Sequence, residues 1–289
     1  MIDELWKLLR ESIYGYLEDE ALTRGAAIAF YTVTSIGPVL FIVVAIAGLF
    51  FGEDAAAGAI SAQLTGLMGR QSAELLQTVI QNASGKASSV LATFAGLVTL
   101  VVTASGVFTE MQQTLNVIWR AKPQENILSG MLRARAASLG LVAALGFLLL
   151  VSLVISAVLT ALGNYVDALL PFGYLILQAL NFLASYALIT VLFAAIYKVL
   201  PDKPIQWRDV FVGAVVTALL FTVGKFLIGL YLGSSTVASS YGAAGSLIIV
   251  LLWIYYSAQV FLLGAEFTKV YAHHHGSRSR RSVASHAAN

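Results

Sequence analysis

Polar groups interrupt several long apolar runs in this sequence, and the interruptions are where chemistry can occur. Lys225 stands alone in LLFTVGKFLIGLYLG. Gln259 and Glu266 lie in SYGAAGSLIIVLLWIYYSAQVFLLGAEF, a run oily enough to cross a bilayer. Glu110 follows another such run, and Gln113 and Asn116 come soon after. An ionisable group in hydrocarbon costs about 2.5–3.5 kcal/mol on insertion scales, so it faces a partner or a water-filled cavity. Each of these residues is therefore a candidate for a polar path through the chain's interior.

Spacing sorts them onto faces. Tyr256, Gln259, Leu263 and Glu266 follow helical periodicity and share one face. Gly106, Thr109, Gln113 and Asn116 share another, and Arg24, Tyr31, Ser35 and Pro38 form a third stripe. With alternating helix directions, all three stripes reach the same inner level. They are expected to converge on one cavity, with Arg24 within ion-pair or water-bridge reach of Glu110 or Glu266. Lys225 falls about 22 Å from the inner start of its run, toward the outer side. Gln178, Asn181 and Ser185 share a stripe on the preceding run, the first two at comparable depth. That pattern suggests a buried cation placed to meet an anion.

Structural roles compete with each of these. Gln259, Glu266 and Glu110 could be interhelical glue, a role for which polar contacts contribute about 0.6 kcal/mol on average. Lys225 could snorkel to the interface. Pro38 is a candidate hinge, though a kink alone is tolerated in membrane helices. Trp253, Tyr255 and Tyr256 lie mid-run and are expected to pack, while Gly213, Gly224 and Gly229 suit close helix approach.

Other chemistries are disfavoured. A metal-dependent nuclease needs clustered His and Asp ligands around an activated water. Here His273, His274, His275 and His286 all lie near the C-terminus, and the carboxylates are scattered. The sequence has no GxxxxGK[ST] phosphate loop and no basic groove with stacking aromatics. No catalytic residue, metal site, cofactor, nucleic-acid partner or enzymatic activity is expected.

The elements that must carry these residues are helices in a membrane. Of 289 residues, 58% are hydrophobic and 11% charged, against about 25% charged in soluble domains. No cysteine is present, which excludes disulfides and thiolate sites. A span needs about 20 apolar residues. Six segments qualify: Ala26–Phe51, Ser89–Thr109, Ala136–Leu162, Phe172–Leu200, Val210–Leu232 and Gly245–Val270. Pro-, Gly- and Ser-rich loops such as AKPQEN, PDKP and GSSTVASSYGAAG separate several of them. The predicted fold is all-α and polytopic, with six transmembrane helices, an amphipathic N-terminal helix and short interfacial helices in the first outer loop. The predicted organisation is an amphipathic cytoplasmic segment 1–25, a membrane domain 26–271 and a disordered basic tail 272–289. The N-terminus lacks the apolar core and cleavage site of a secretory signal.

Arg and Lys residues set the orientation. Lys7, Arg10 and Arg24 precede the first span; Arg120, Lys122, Arg133 and Arg135 follow the second; Lys198, Lys203 and Arg208 follow the fourth; and Lys269, Arg278, Arg280 and Arg281 follow the sixth. The opposite face carries only Arg70 and Lys86. Basic residues collect on the cytoplasmic side, so both termini are expected there, in the inner membrane of a bacterium.

The C-terminal stretch SSYGAAGSLIIVLLWIYYSAQVFLLGAEFT resembles the signature of the YihY/virulence factor BrkB family, once labelled ribonuclease BN-like. RGAAIAFYTVTSIGPVL, GVFTEMQQTLNVIWR and IYKVLPDKPIQWRDVFVGAVVTALLF support the resemblance in the same order along the chain. It covers most of residues 20–270 and leaves the tail beyond about 271 outside. It implies a six-span bacterial inner-membrane protein and points toward lipid or envelope-related transport. The ribonuclease label does not fit the residues.

Three functions fit the pattern. The first is a transporter of an anionic lipid or a related envelope component along Arg24, Tyr31, Ser35, Glu110, Gln113, Gln178, Asn181, Lys225, Gln259 and Glu266. The second is an ion-coupled small-solute transporter in which Glu110 or Glu266 takes a proton. The third is a non-transporting scaffold that binds envelope proteins through 52–88. Membrane lipids are the expected partners, and the pattern is compatible with homo-oligomers.

Overall fold

The computed structural model describes residues 2–52, 106–121, 173–234 and 243–277, with isolated positions at 57, 58, 60, 61, 65 and 78. The described helices are α1 (Ile2–Glu18), α2 (Ala21–Phe51), α3 (106–118), α4 (Gly173–Val199), α5 (Trp207–Ser234) and α6 (Ala243–His274). Among the described residues, no strand is present. Among the described residues, three stretches are long and apolar enough to cross a bilayer: Leu175–Val199, Trp207–Ile228 and Leu247–His274. They match the expected fourth, fifth and sixth spans. Most of the expected second span, all of the third and nearly all of the interfacial helices of 52–88 lie outside the described residues. The first span lies within α2, which runs as one helix through Pro38.

α1 starts with Asp3 and Glu4, which favour the positive end of a helix. It ends at a tight reversal. Asp19 N–H donates to Gly15 O at 2.8 Å, and Glu20 adopts a left-handed φ of 54°. The Glu20 carbonyl then accepts Thr23 N at 3.0 Å and Arg24 N at 3.1 Å, which starts α2. α3 ends in the same way. Arg120 (φ 49°) is left-handed, Ala121 N donates to Asn116 O at 2.8 Å and Arg120 N donates to Val117 O at 3.0 Å. These two bonds form the Schellman arrangement, here without glycine.

α4 and α5 form an antiparallel pair joined by a short loop carrying Pro201 and Pro204. That loop clamps the end of α3. Asn116 Nδ2 donates to Asp202 Oδ2 (2.6 Å), Asp202 N donates to Asn116 Oδ1 (2.9 Å) and Gln112 Nε2 donates to Asp202 Oδ1 (3.2 Å). Lys203 Nζ donates to Trp119 O at 2.7 Å, satisfying a carbonyl that the helix end leaves open. α6 is the hub of the assembly and packs on α1, α2 and α5.

Lipid tails are as apolar as leucine, so helices in a membrane associate by close packing and not by escape from water. Small residues provide that closeness here. A Cβ at Gly213 would stand 2.7 Å from Thr268 Cβ, and one at Gly224 would stand 2.7 Å from Tyr256 Cε1. The side-chain surroundings of Gly229 lie outside the described residues. An aromatic ladder crosses the same interfaces. Tyr197 stacks on Phe261 at 5.5 Å, Phe193 meets Phe221 edge-on at 5.8 Å, and Phe221 meets Trp253 at 6.0 Å. Such pairs contribute about 0.5–1.5 kcal/mol beyond their burial. Trp253 and Tyr256 are thus packing residues.

Two boundaries differ from the sequence expectation. α1 does not stand apart from the helices that follow, because it is fastened along α6. The tail does not begin at 272 either: α6 continues to His274, and 275–277 fold back onto α5. Ser277 Oγ donates to Asp209 Oδ2 at 2.6 Å, its N–H lies 3.3 Å from Asp209 Oδ1, and Asp209 is fully buried. His274 also meets Glu11 of α1 at 2.5 Å. These contacts hold helix past the last apolar residue of the run. Residues 278–289 lie outside the described residues.

Candidate functional site

The polar residues at the end of the bundle that carries the α4–α5 loop are engaged chiefly by α1. Gln259 Oε1 accepts the Tyr16 hydroxyl, and Gln259 Nε2 donates to Leu22 O at 3.3 Å, so one amide pins both arms of the α1–α2 hairpin. Burial pushes the Tyr16 phenol up to about 12, with the neighbouring Tyr255 adding to the effect. It is therefore a hydroxyl donor throughout the ordinary pH range. Glu266 is completely buried, and its Oε2 lies 2.8 Å from Lys269 Nζ. The same ammonium lies 3.3 Å from Asp19 Oδ2, whose side chain is 2% exposed. Arg120 reaches Asp19 Oδ1 at 2.9 Å and Glu18 at 3.2 Å. Neither Glu266 oxygen has a well-directed hydrogen bond.

The expected ion pair of Arg24 with a buried glutamate is not formed. Arg24 Nε donates to the Asp19 carbonyl at 3.0 Å, and Glu266 takes Lys269, three residues along its own helix. The reason is local: the left-handed turn at Glu20 points Asp19 O back at the first turn of α2. Ser35 is buried and donates to Thr32 O at 3.1 Å. Tyr31 is partly exposed and covers Gly106 of α3, where a Cβ would stand 3.1 Å from its ring. Glu110 is half-buried and Gln113 is exposed. On α3, Gln112 and Asn116 bind across to Asp202 of the α4–α5 loop.

Lys225 is placed differently. It lies on α5 facing α4, where Gln178, Asn181 and Ser185 present one helical face. Together with Phe182, Tyr186, Ile189, Thr222 and Phe226 they line an open cavity of about 610 Å³, in which Gln178, Asn181 and Ser185 are exposed and Lys225 is half-buried. The Tyr186 hydroxyl donates to Val215 O and the Thr222 hydroxyl to Ala218 O, each at 2.7 Å, so both are committed to backbone. Gln178, Asn181, Ser185 and Lys225 make no hydrogen bond with any described residue. The cavity thus offers one ammonium, two amides and one hydroxyl, with apolar rings between them. No described lining residue is a carboxylate or histidine. The set can hold an anion with an apolar body. Among the described residues no acid–histidine group suits a metal.

Several residues at the opposite end escaped the sequence reading: Tyr16, Asp19, Lys269, Asp202, Lys203 and Asp209. Lys269 was detectable, since three residues after Glu266 it must share its face. Asp19 lies in LEDE, which reads as a solvated acidic run until the hairpin turns it inward.

The family model described as Virulence factor BrkB matches residues 12–288, so the likeness extends through the tail that had been left outside it. A UPF0761 membrane protein of Mannheimia succiniciproducens is 28% identical over 91% of this chain and 89% of its own length. One from Ralstonia nicotianae is 30% identical over 91% of this chain, and one from Tolumonas auensis is 35% identical over 65%. The chain spans 58% and 59% of those two relatives. No solved structure matches it. With its apolar helices and a match over nearly its whole length, this chain belongs to the virulence factor BrkB family of membrane proteins.

Proposed function

We propose that the chain is a transporter that moves an anionic lipid, or a related envelope component, between helices of the bacterial inner membrane, with both termini cytoplasmic. The observation that carries this reading is the cavity at Lys225. An unpaired charge in hydrocarbon is prohibitive, so a lipid phosphate in transit needs a cation and neutral donors beside a surface that accepts acyl chains. Lys225, Gln178 and Asn181 supply the first two, and Phe182, Phe226 and Ile189 supply the third.

Tyr31, Glu110 and Gln113 are half-buried or exposed and could pass a headgroup, whereas Gln259 and Glu266 are tied to α1 and its hairpin. A proteoliposome assay of labelled phosphatidylglycerol, with and without Lys225→Met, tests the reading. Movement that depends on the ammonium supports it, and movement indifferent to it does not.

A further inference from the structure

α1 carries a second apolar stripe that no other described residue covers. Leu8, Ser12, Gly15 and Asp19 face α6, where Leu8 joins Phe267 and Val270. Next to this edge run Trp6, Leu9, Ile13 and Leu17, spaced three, four and four residues apart on one face. All four are exposed, Trp6 at 69% and Leu17 at 57%.

The charges around the stripe are not symmetric. Three acids have basic neighbours: Glu4 lies 4.0 Å from His275, Glu11 lies 2.5 Å from His274, and Glu18 lies 3.2 Å from Arg120, while Asp3 and Glu20 are exposed. Lys7 and Arg10 form no ion pair with a described carboxylate, and Arg10 lies 5.4 Å above the Tyr14 ring. Leu22 and Phe30 of α2 are exposed as well. An exposed tryptophan, an aliphatic stripe and flanking basic residues are the composition of helices that lie in the lipid–water interface.

We propose that α1 is an interfacial helix: its Trp6–Leu9–Ile13–Leu17 stripe sinks into the headgroup region of an anionic leaflet, while its Leu8–Asp19 edge stays fastened to α6. The partner is the bilayer surface, with lipid phosphates opposite Lys7 and Arg10. α1 then ties the position of α6, through Glu266 and Gln259, to the leaflet in which it lies.

The sequence has no cysteine, so single labels can be placed without background. Spin labels at Leu9→Cys, Ile13→Cys and Lys7→Cys of the full chain would be read in vesicles of phosphatidylcholine with 30% phosphatidylglycerol, on the order of an anionic leaflet. Expected is a several-fold higher ratio of oxygen to nickel-chelate accessibility at 9 and 13 than at 7, with the contrast falling in pure phosphatidylcholine. Equal, water-like values at all three sites would overturn the proposal. So would positions 9 and 13 closed to both reagents, with spin–spin broadening that reports a second copy on the stripe. Every site is exposed, so loss of folding does not confuse the outcome.

Discussion

Gly15 and Glu266 touch across the α1–α6 interface: a Cβ at position 15 would stand 2.6 Å from Glu266 Oε2 and 3.1 Å from its Cδ. The missing side chain is what lets a fully buried carboxylate sit beside Lys269. Alanine would gain about 0.5–1 kcal/mol of helix propensity. It would also overpack an occupied site, which costs about 1–3 kcal/mol. Gly15→Ala should therefore lower the apparent Tm in detergent. Most of that loss should vanish in a Glu266→Ala background, because the two positions share the contact. Additive effects would show that the residues do not meet.

The turn between α1 and α2 stores strain. Glu20 holds φ 54° with no side-chain cap. A left-handed residue with a Cβ costs about 1–2 kcal/mol. Glu20→Gly should raise the apparent Tm, and Glu20→Val should lower it, since β-branching worsens the clash. The reverse order would mean that the chain reverses by another geometry.

Tyr16 supplies a pH test. Its hydroxyl donates to Gln259, so Tyr16→Phe should cost about 1 kcal/mol. Burial raises its phenol from 10.0 to about 12. A raised folded value means that the contribution is complete below the unfolded value and declines as pH climbs through the folded one. The stability gap between wild type and Tyr16→Phe should be flat to pH 10 and shrink between 10 and 12. A gap that narrows near neutrality would remove Tyr16 from this role.

What could be read in the sequence was what helical periodicity and helix direction determine. Gln178, Asn181 and Ser185 must share a face at three- and four-residue spacing, and an antiparallel neighbour must bring Lys225 to their depth. The structure has all four on one cavity wall. What could not be read was tertiary. Glu266 and Gln259 were matched to Arg24 and Glu110 by depth, but depth does not say which helix occupies a given side. α1, treated as a separate segment, fills that side because the Glu20 turn folds it along α6. Asp209 and Ser277 were invisible for the same reason: their contact joins residues 68 positions apart. The sixth run was ended at Val270, whereas α6 continues to His274, where contacts with Glu11 and Asp209 hold the chain.

Lys225 decides between two physical pictures of the cavity. If the ammonium merely snorkels, its value lies in the apolar stem, and methionine replaces that stem with little loss. If it meets an anionic headgroup, the charge itself is required. Lys225→Met should then leave the apparent Tm close to wild type while abolishing movement of headgroup-labelled phosphatidylglycerol, read by reduction of the outer-leaflet label. Lys225→Arg should retain part of the movement, because charge persists while donor geometry changes. Asn181→Ala should slow it less than Lys225→Met, since a neutral hydrogen bond contributes about 0.5–1.5 kcal/mol against about 1.5–3 for one to a charged group. Wild-type rates in Lys225→Met at matched protein levels would leave the lysine as an interfacial anchor and the cavity without a headgroup to hold.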